Sequence, residues 1–158
     1  MKREFYAVLD NLRSLHNVGS IFRTAEALGF KKIFLGGITT DLNSSKARRE
    51  IAKTALGAEN YLAWEKVKQT WRILKKLKQE GFYLIGLEIT PQALPLNKVK
   101  LPKNYKKFVL VVGNEIKGLS PQILSYCQKV VKIPLKGRKE SLNVGVAFGI
   151  AAFWLSNL

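Results

Sequence analysis

The stretch VLVVGNEIKGLSP, residues 109–121, runs an apolar segment straight into Gly113, then small and polar residues, then a Ser-Pro helix start. A second stretch, IPLKGRKESLNVGVAFGIA at residues 133–151, repeats that arrangement. Strand, glycine turn and helix in this order are how a parallel sheet presents backbone amides and carbonyls to a ligand. Together the two stretches predict a ligand site at strand ends.

Working outward, apolar runs at residues 5–9, 32–35, 82–88, 108–112 and 130–133 read as strands, each bounded by turn-prone residues. The run at 82–88 is almost wholly apolar, as expected of a strand covered by helices on both faces. A helix is predicted to begin near Asn17, with Val18, Ile21, Ala25 and Leu28 on one face and Gly29 as the stop. The spacing of Val67, Trp71, Leu74 and Leu77 predicts a second helix over residues 65–79, its lysines on the wet side. Ser120 and Pro121 start a short helix. Residues 141–155 predict a last one, with apolar side chains all around it, so that a partner subunit is a natural cover for one side. The basic segment at residues 46–53 is compatible with a helix or a mobile loop. The alternation gives an α/β fold with a mainly parallel sheet flanked by helices, and residues 1–158 are expected to form a single domain.

Composition narrows the partners. Lys and Arg outnumber Asp and Glu by 27 to 11, a formal charge of +16 on 158 residues, which favours a polyanion such as nucleic acid. Cys127 is the only cysteine, so neither an intrachain disulfide nor a Cys-based zinc cluster is expected, and no metal is called for. It reads as a small core residue of an intracellular, cytoplasmic protein. The most apolar stretch, residues 144–155, falls short of the ~20 residues that span a bilayer. Neither G-x-G-x-x-G after a strand nor G-x-x-x-x-G-K occurs, which argues against a nucleotide-dependent oxidoreductase or a phosphate-loop enzyme.

Three segments carry candidate chemistry. At the first helix, a turn holding Asn17 and Gly19 can offer amides to an anion, and Arg23 offers a bidentate fork for phosphate; equally, Asn17 can be a cap and Arg23 an ion-pair partner. In the second, Gly113 lets backbone approach a ligand while Glu115 bonds a ribose or an amine, or else orients a basic neighbour. In the third, Ser141 and Asn143 stand at a helix start after a basic loop, where Ser141 is otherwise an ordinary N-cap.

Taken jointly, these segments resemble the SpoU, or TrmH-like, RNA 2′-O-methyltransferases of the SPOUT class. The likeness rests on N-x-G-x-x-x-R-T-A-E at residues 17–26, G-N-E-x-x-G-L-S at 113–120 and I-P-x-x-G-x-x-x-S-L-N-V at 133–144, in that order. Ile116, Leu135 and Gly145 depart from the residues frequent there. The resemblance implies transfer of a methyl group from S-adenosylmethionine to a ribose 2′-hydroxyl of tRNA or rRNA, by a homodimer with active sites at the subunit interface. It also implies an α/β knot, a deep C-terminal trefoil formed by residues from about 112 onward. Its functional polar positions fall on Arg23, Asn17, Glu115, Ser141 and Asn143. Cofactor contacts fall on Leu87, Gly113, Asn114, Gly118, Ile133 and Leu142. RNA is expected to be gripped by Arg13, Lys46, Arg48, Arg49, Lys117, Arg138 and Lys139, mostly through phosphates. The ending SLNVGVAFGI looks closer to the tRNA guanosine and 23S rRNA branch than to the wobble-position branch.

The chemistry sets limits on these roles. A guanidinium keeps its proton to beyond pH ~12, so Arg23 suits a clamp for the target nucleotide better than a base. His16, the only histidine, is a candidate proton acceptor. The competing expectation is a non-catalytic RNA-binding protein that kept the knotted fold. It needs the Lys and Arg but has no use for the set of Arg23, Glu115, Ser141 and Asn143.

Overall fold

A computed structural model describes residues 2–158. Seven strands make one sheet among the described residues: β1 (Glu4–Asp10), β2 (Lys32–Gly36), β3 (Ala63–Val67), β4 (Phe82–Leu87), β5 (Leu94–Pro95), β6 (Lys107–Val112) and β7 (Lys129–Lys132). Their order is β3-β2-β1-β6-β4-β7-β5, and every pairing is parallel. The helices are α1 (Leu15–Ala27), α2 (Ser45–Ala55), α3 (Thr70–Gln79), α4 (Pro121–Ser125) and α5 (Val144–Ser156). None among the described residues is long and apolar enough to cross a membrane.

Alternation along each strand feeds two cores, one on each face of the sheet. Phe5, Ala7 and Leu9 of β1 join Phe108, Leu110 and Val112 of β6 under α1, α2 and α5. Val8, Phe34, Leu84, Val109 and Val111 face the other way, against Ile73, Leu74 and Leu77 of α3 and Ile123 of α4. Because β1, β6 and β4 are buried on both faces, they can be nearly all apolar, which is why they were legible as strands.

Two boundaries differ from expectation. The predicted helix over residues 65–79 splits: Ala63–Val67 is strand β3, and the helix begins only at Thr70. Ladder pairing of β3 with β2, from Lys32 opposite Ala63 to Gly36 opposite Val67, overrides the helix preference of Glu65 and Lys66. Helix α5 starts at Val144 rather than Ser141, because the side chain of Asn143 takes the N-cap position and accepts from the amides of Gly145 and Val146. The basic segment at residues 46–53 is helical, within α2.

Helix α1 is capped by Ser14, whose hydroxyl accepts from the Asn17 amide while its carbonyl accepts from Val18. Those amides are therefore spent within the helix, and the turn at Asn17 and Gly19 offers no open nest to an anion. Gly19 serves packing instead. A Cβ there would lie 3.0 Å from the Ala55 amide nitrogen and nearer still to the Ile51 carbonyl, so its absence sets the approach of α1 to α2. Gly19→Ala is expected to cost about 1–3 kcal/mol of folding stability. Urea unfolding should show a lower midpoint at unchanged slope.

Candidate active site

The carboxyl ends of β4, β6 and β7 open into a cleft. One side is the loop after β6. Gly113 packs so tightly there that a Cβ would meet the carbonyl carbon of Gly118 at 2.6 Å, and Gly118 has φ +66°, a left-handed conformation that suits glycine. The Asn114 carbonyl accepts from the Gly118 amide at 2.9 Å, and the Asn114 side chain accepts from the amides of Ile116 and Lys117 at 2.9 Å each. The other side is the segment from Ile133 to Leu142, with Val144 and Ala147 at the floor.

Carboxylates brace this loop from two directions. Glu88, just past β4, accepts from the Leu119 amide at 2.7 Å and from its neighbour Ile89 at 2.9 Å. Glu115 reaches the entry to α1, accepting from the Arg13 amide at 2.9 Å and the Ser14 amide at 2.7 Å, with the Asn17 side-chain amide 3.5 Å away. Asn143 donates in turn to the Asn17 side-chain oxygen at 3.1 Å. Three segments distant in sequence are thus tied together beside the cleft.

The six predicted cofactor positions, Leu87, Gly113, Asn114, Gly118, Ile133 and Leu142, all line this cleft, as do Glu115, Ser141 and Lys117. Asn17 and Asn143 stand behind it in the hydrogen-bonded chain. Arg23 is exposed and does not line it. Six residues beyond Asn17, it lies about 9 Å further along α1 and roughly 240° around the helix. His16 is likewise exposed and off the cleft; its carbonyl accepts from the Thr54 hydroxyl. Among the predicted RNA contacts, Arg13 and Lys117 line a second cleft beside the first, Lys46, Arg48 and Arg49 lie exposed on α2, and Arg138 and Lys139 lie exposed in the bend after β7. Glu88 was missed. The one available signal was a lone carboxylate closing the otherwise apolar FYLIGLE.

The apolar cleft walls and open backbone groups fit a ligand with a flat heterocycle and a few polar atoms. A cleft at the strand ends of a parallel sheet is where α/β proteins commonly take small ligands. Comparison with known proteins narrows the class. The model of the SpoU rRNA Methylase family matches residues 4–153. A 23S rRNA (guanosine-2'-O-)-methyltransferase of Xanthomonas axonopodis is 34% identical over 96% of this chain and 57% of its own length. A tRNA (guanosine(18)-2'-O)-methyltransferase of Aquifex aeolicus is 30% identical over 96% of this chain and 68% of its own. The crystal structure of an AdoMet-bound rRNA methyltransferase from Sinorhizobium meliloti superimposes with a TM-score of 0.88 at 27% identity, over 99% of this chain and 57% of that one. This chain belongs to the SpoU rRNA Methylase family. It spans between 57% and 62% of the length of three curated relatives it matches.

Burial alone would raise the pKa of Glu115, but the amides of Arg13 and Ser14, helped by Asn17, outweigh it and hold the carboxyl below its ordinary value. In acid the unfolded chain therefore takes up this proton first. The stability that the ionised group contributes is present above the ordinary glutamate range and is lost as pH falls through the lower folded value. Glu115→Gln is expected to lower stability at neutral pH and to flatten the acid-side fall. Urea titrations between about pH 3 and pH 7 read both effects.

Proposed function

We propose that this chain transfers a methyl group from S-adenosylmethionine to a ribose 2′-hydroxyl of tRNA or rRNA, acting as a single SpoU-type domain. The observation that carries the reading is the cleft itself: backbone around Gly113 and Gly118, apolar walls from Leu87, Ile133 and Leu142, and the linked side chains of Glu115, Asn17 and Asn143 alongside. The strand order β1-β6-β4-β7, with Asn143 returning to α1 after β7, is in keeping with a C-terminal segment threaded as a deep trefoil knot.

When bound, S-adenosylmethionine supplies a methyl carbon on a sulfonium, open to in-line displacement. The protein's work is then mostly positioning. Leu87, Ile133 and Leu142 hold the heterocycle, and amides and carbonyls near Gly113 and Leu142 take its polar edge. Glu115 is a positioning residue, since its oxygens are engaged by the Arg13 and Ser14 amides; through them it fixes α1 against the β6 loop. Ser141, exposed on the cleft, orients the ribose hydroxyl.

Arg23 faces away from its own cleft, which a second copy resolves. On α5 the exposed side chains Val146, Ile150, Phe153 and Trp154 form one apolar face, with Phe153 59% exposed. We infer that this face pairs with its counterpart in a homodimer, placing Arg23 of one protomer at the other's cleft as a phosphate clamp. The net charge of +16 and the exposed Lys46, Arg48 and Arg49 on α2 then steer RNA to the site.

Three outcomes are expected. With labelled S-adenosylmethionine and total cellular RNA, Arg23→Ala should lose methyl transfer by about 100-fold or more, while calorimetric donor affinity stays within about twofold. Equal loss of donor affinity would contradict the clamp. Phe153→Lys with Trp154→Lys should shift light scattering to monomer mass and abolish transfer. RNA affinity should fall steeply between about 50 and 200 mM salt.

A further inference from the structure

A second cleft lies beside the first, sharing the lip formed by Asn114, Ile116, Lys117 and Gly118. Its far walls are Asp10 and Asn11 at the end of β1, and Lys68, Gln69, Thr70 and Trp71 at the start of α3. The three sequence motifs assign no role to these far walls. Asp10 is its distinctive feature.

That carboxylate is 5% exposed, at the end of a strand, and the Thr70 hydroxyl donates to its Oδ1 at 2.5 Å. Among the described residues no other side chain bonds it, which leaves Oδ2 and the second lone pair of Oδ1 as acceptors. The rim is cationic, with Arg13, Lys68 and Lys117, and Trp71 adds an indole that is half-buried against α3's core. Burial pushes the Asp10 carboxyl above its ordinary pKa, only partly offset by the Thr70 bond. The folded state therefore binds this proton more tightly than the unfolded chain, and ionising Asp10 as pH rises through the raised value opposes folding. Asn would keep the Thr70 bond without that cost. A carboxylate held against stability, in a cleft with cations at the mouth, is arranged to accept hydrogen bonds from a ligand that also carries negative charge.

We propose that this second cleft takes a guanine base from a nucleotide flanking the methylated one, its N–H donors on the Asp10 carboxylate and its phosphate on Lys68 and Lys117. Guanine presents a ring N–H and an amino group side by side on one edge, which matches the acceptor pair of a carboxylate; adenine presents an acceptor beside its amino group. Trp71 offers an apolar surface for the base. The inference rests on the proposed RNA methyl transfer for the identity of the strand, and the shared lip is what brings a neighbouring nucleotide into reach.

The test uses the whole chain, ¹⁵N-labelled, with guanosine, inosine and adenosine 5′-monophosphates as probes, following the Trp71 indole N–H. Guanosine monophosphate is expected to bind about tenfold more tightly than adenosine monophosphate, with inosine monophosphate, which lacks the amino group, in between. Asp10→Asn should bring the three within about twofold while melting no lower than the parent at pH 7. Lys68→Glu, at an exposed position, should weaken all three alike and preserve their ratio. Equal binding of the three probes, or a guanine preference that survives Asp10→Asn, overturns the inference. Donor calorimetry on the same sample separates the two readings. Donor binding without guanine preference sinks only the second cleft, whereas guanine preference without donor binding sinks the proposed methyl transfer.

Discussion

The carboxylate of Glu115 is the constraint on which the arrangement turns. It sits in the loop after β6 and takes the amides of Arg13 and Ser14, more than a hundred residues earlier in the chain, at the mouth of α1. Those two amides precede the first turn of the helix, where Ser14 supplies the cap. Without the carboxylate they would need other partners. One side chain therefore decides where α1 begins and how the β6 loop is held, and Asn17 carries the link on to Asn143 and the start of α5.

The consequence is a cleft that is preorganised by hydrogen bonds outside it. Asn114 closes its own loop and donates to the Asn11 carbonyl at 2.8 Å, while Glu88 holds the far end at Leu119. Polar groups on the cleft that are not spent on this bracing include the side chains of Ser141, Lys117 and Lys132. A rigid cradle of this kind can place a small reactive ligand without reorganising as it binds. Arg23 and the apolar face of α5 lie outside that cradle, which is why the reading needs a second protomer for one and an interface for the other.

How much of this was readable in the sequence depended on how local each signal was. Strands β1, β2, β4 and β6 announced themselves because burial on two faces makes a strand nearly all apolar, and β7 by its short apolar run from Val130 to Val131. Strand β3 did not: it is an edge strand carrying Glu65 and Lys66, whose local preference is helical, and only its pairing with β2 makes it extended. The β5 segment, Leu94–Pro95, is two residues at the opposite edge and has no periodicity to find. The β6 loop beside the cleft was legible because Gly113 and Gly118 leave a spaced pattern in the sequence. The role of Gly19 in helix packing, the bracing by Glu88 and the burial of Asp10 were not, since each depends on a neighbour far away in the chain.

The central claim is that residues 113–118 and 133–142 together hold a methyl donor. A crystal structure of the protein soaked with S-adenosylmethionine tests it most directly. The account predicts the heterocycle between Leu87, Ile133 and Leu142, with backbone near Gly113 within hydrogen-bonding distance and the sulfonium facing Ser141. Density for the donor at any other surface, or the cleft empty at saturating donor, would contradict it.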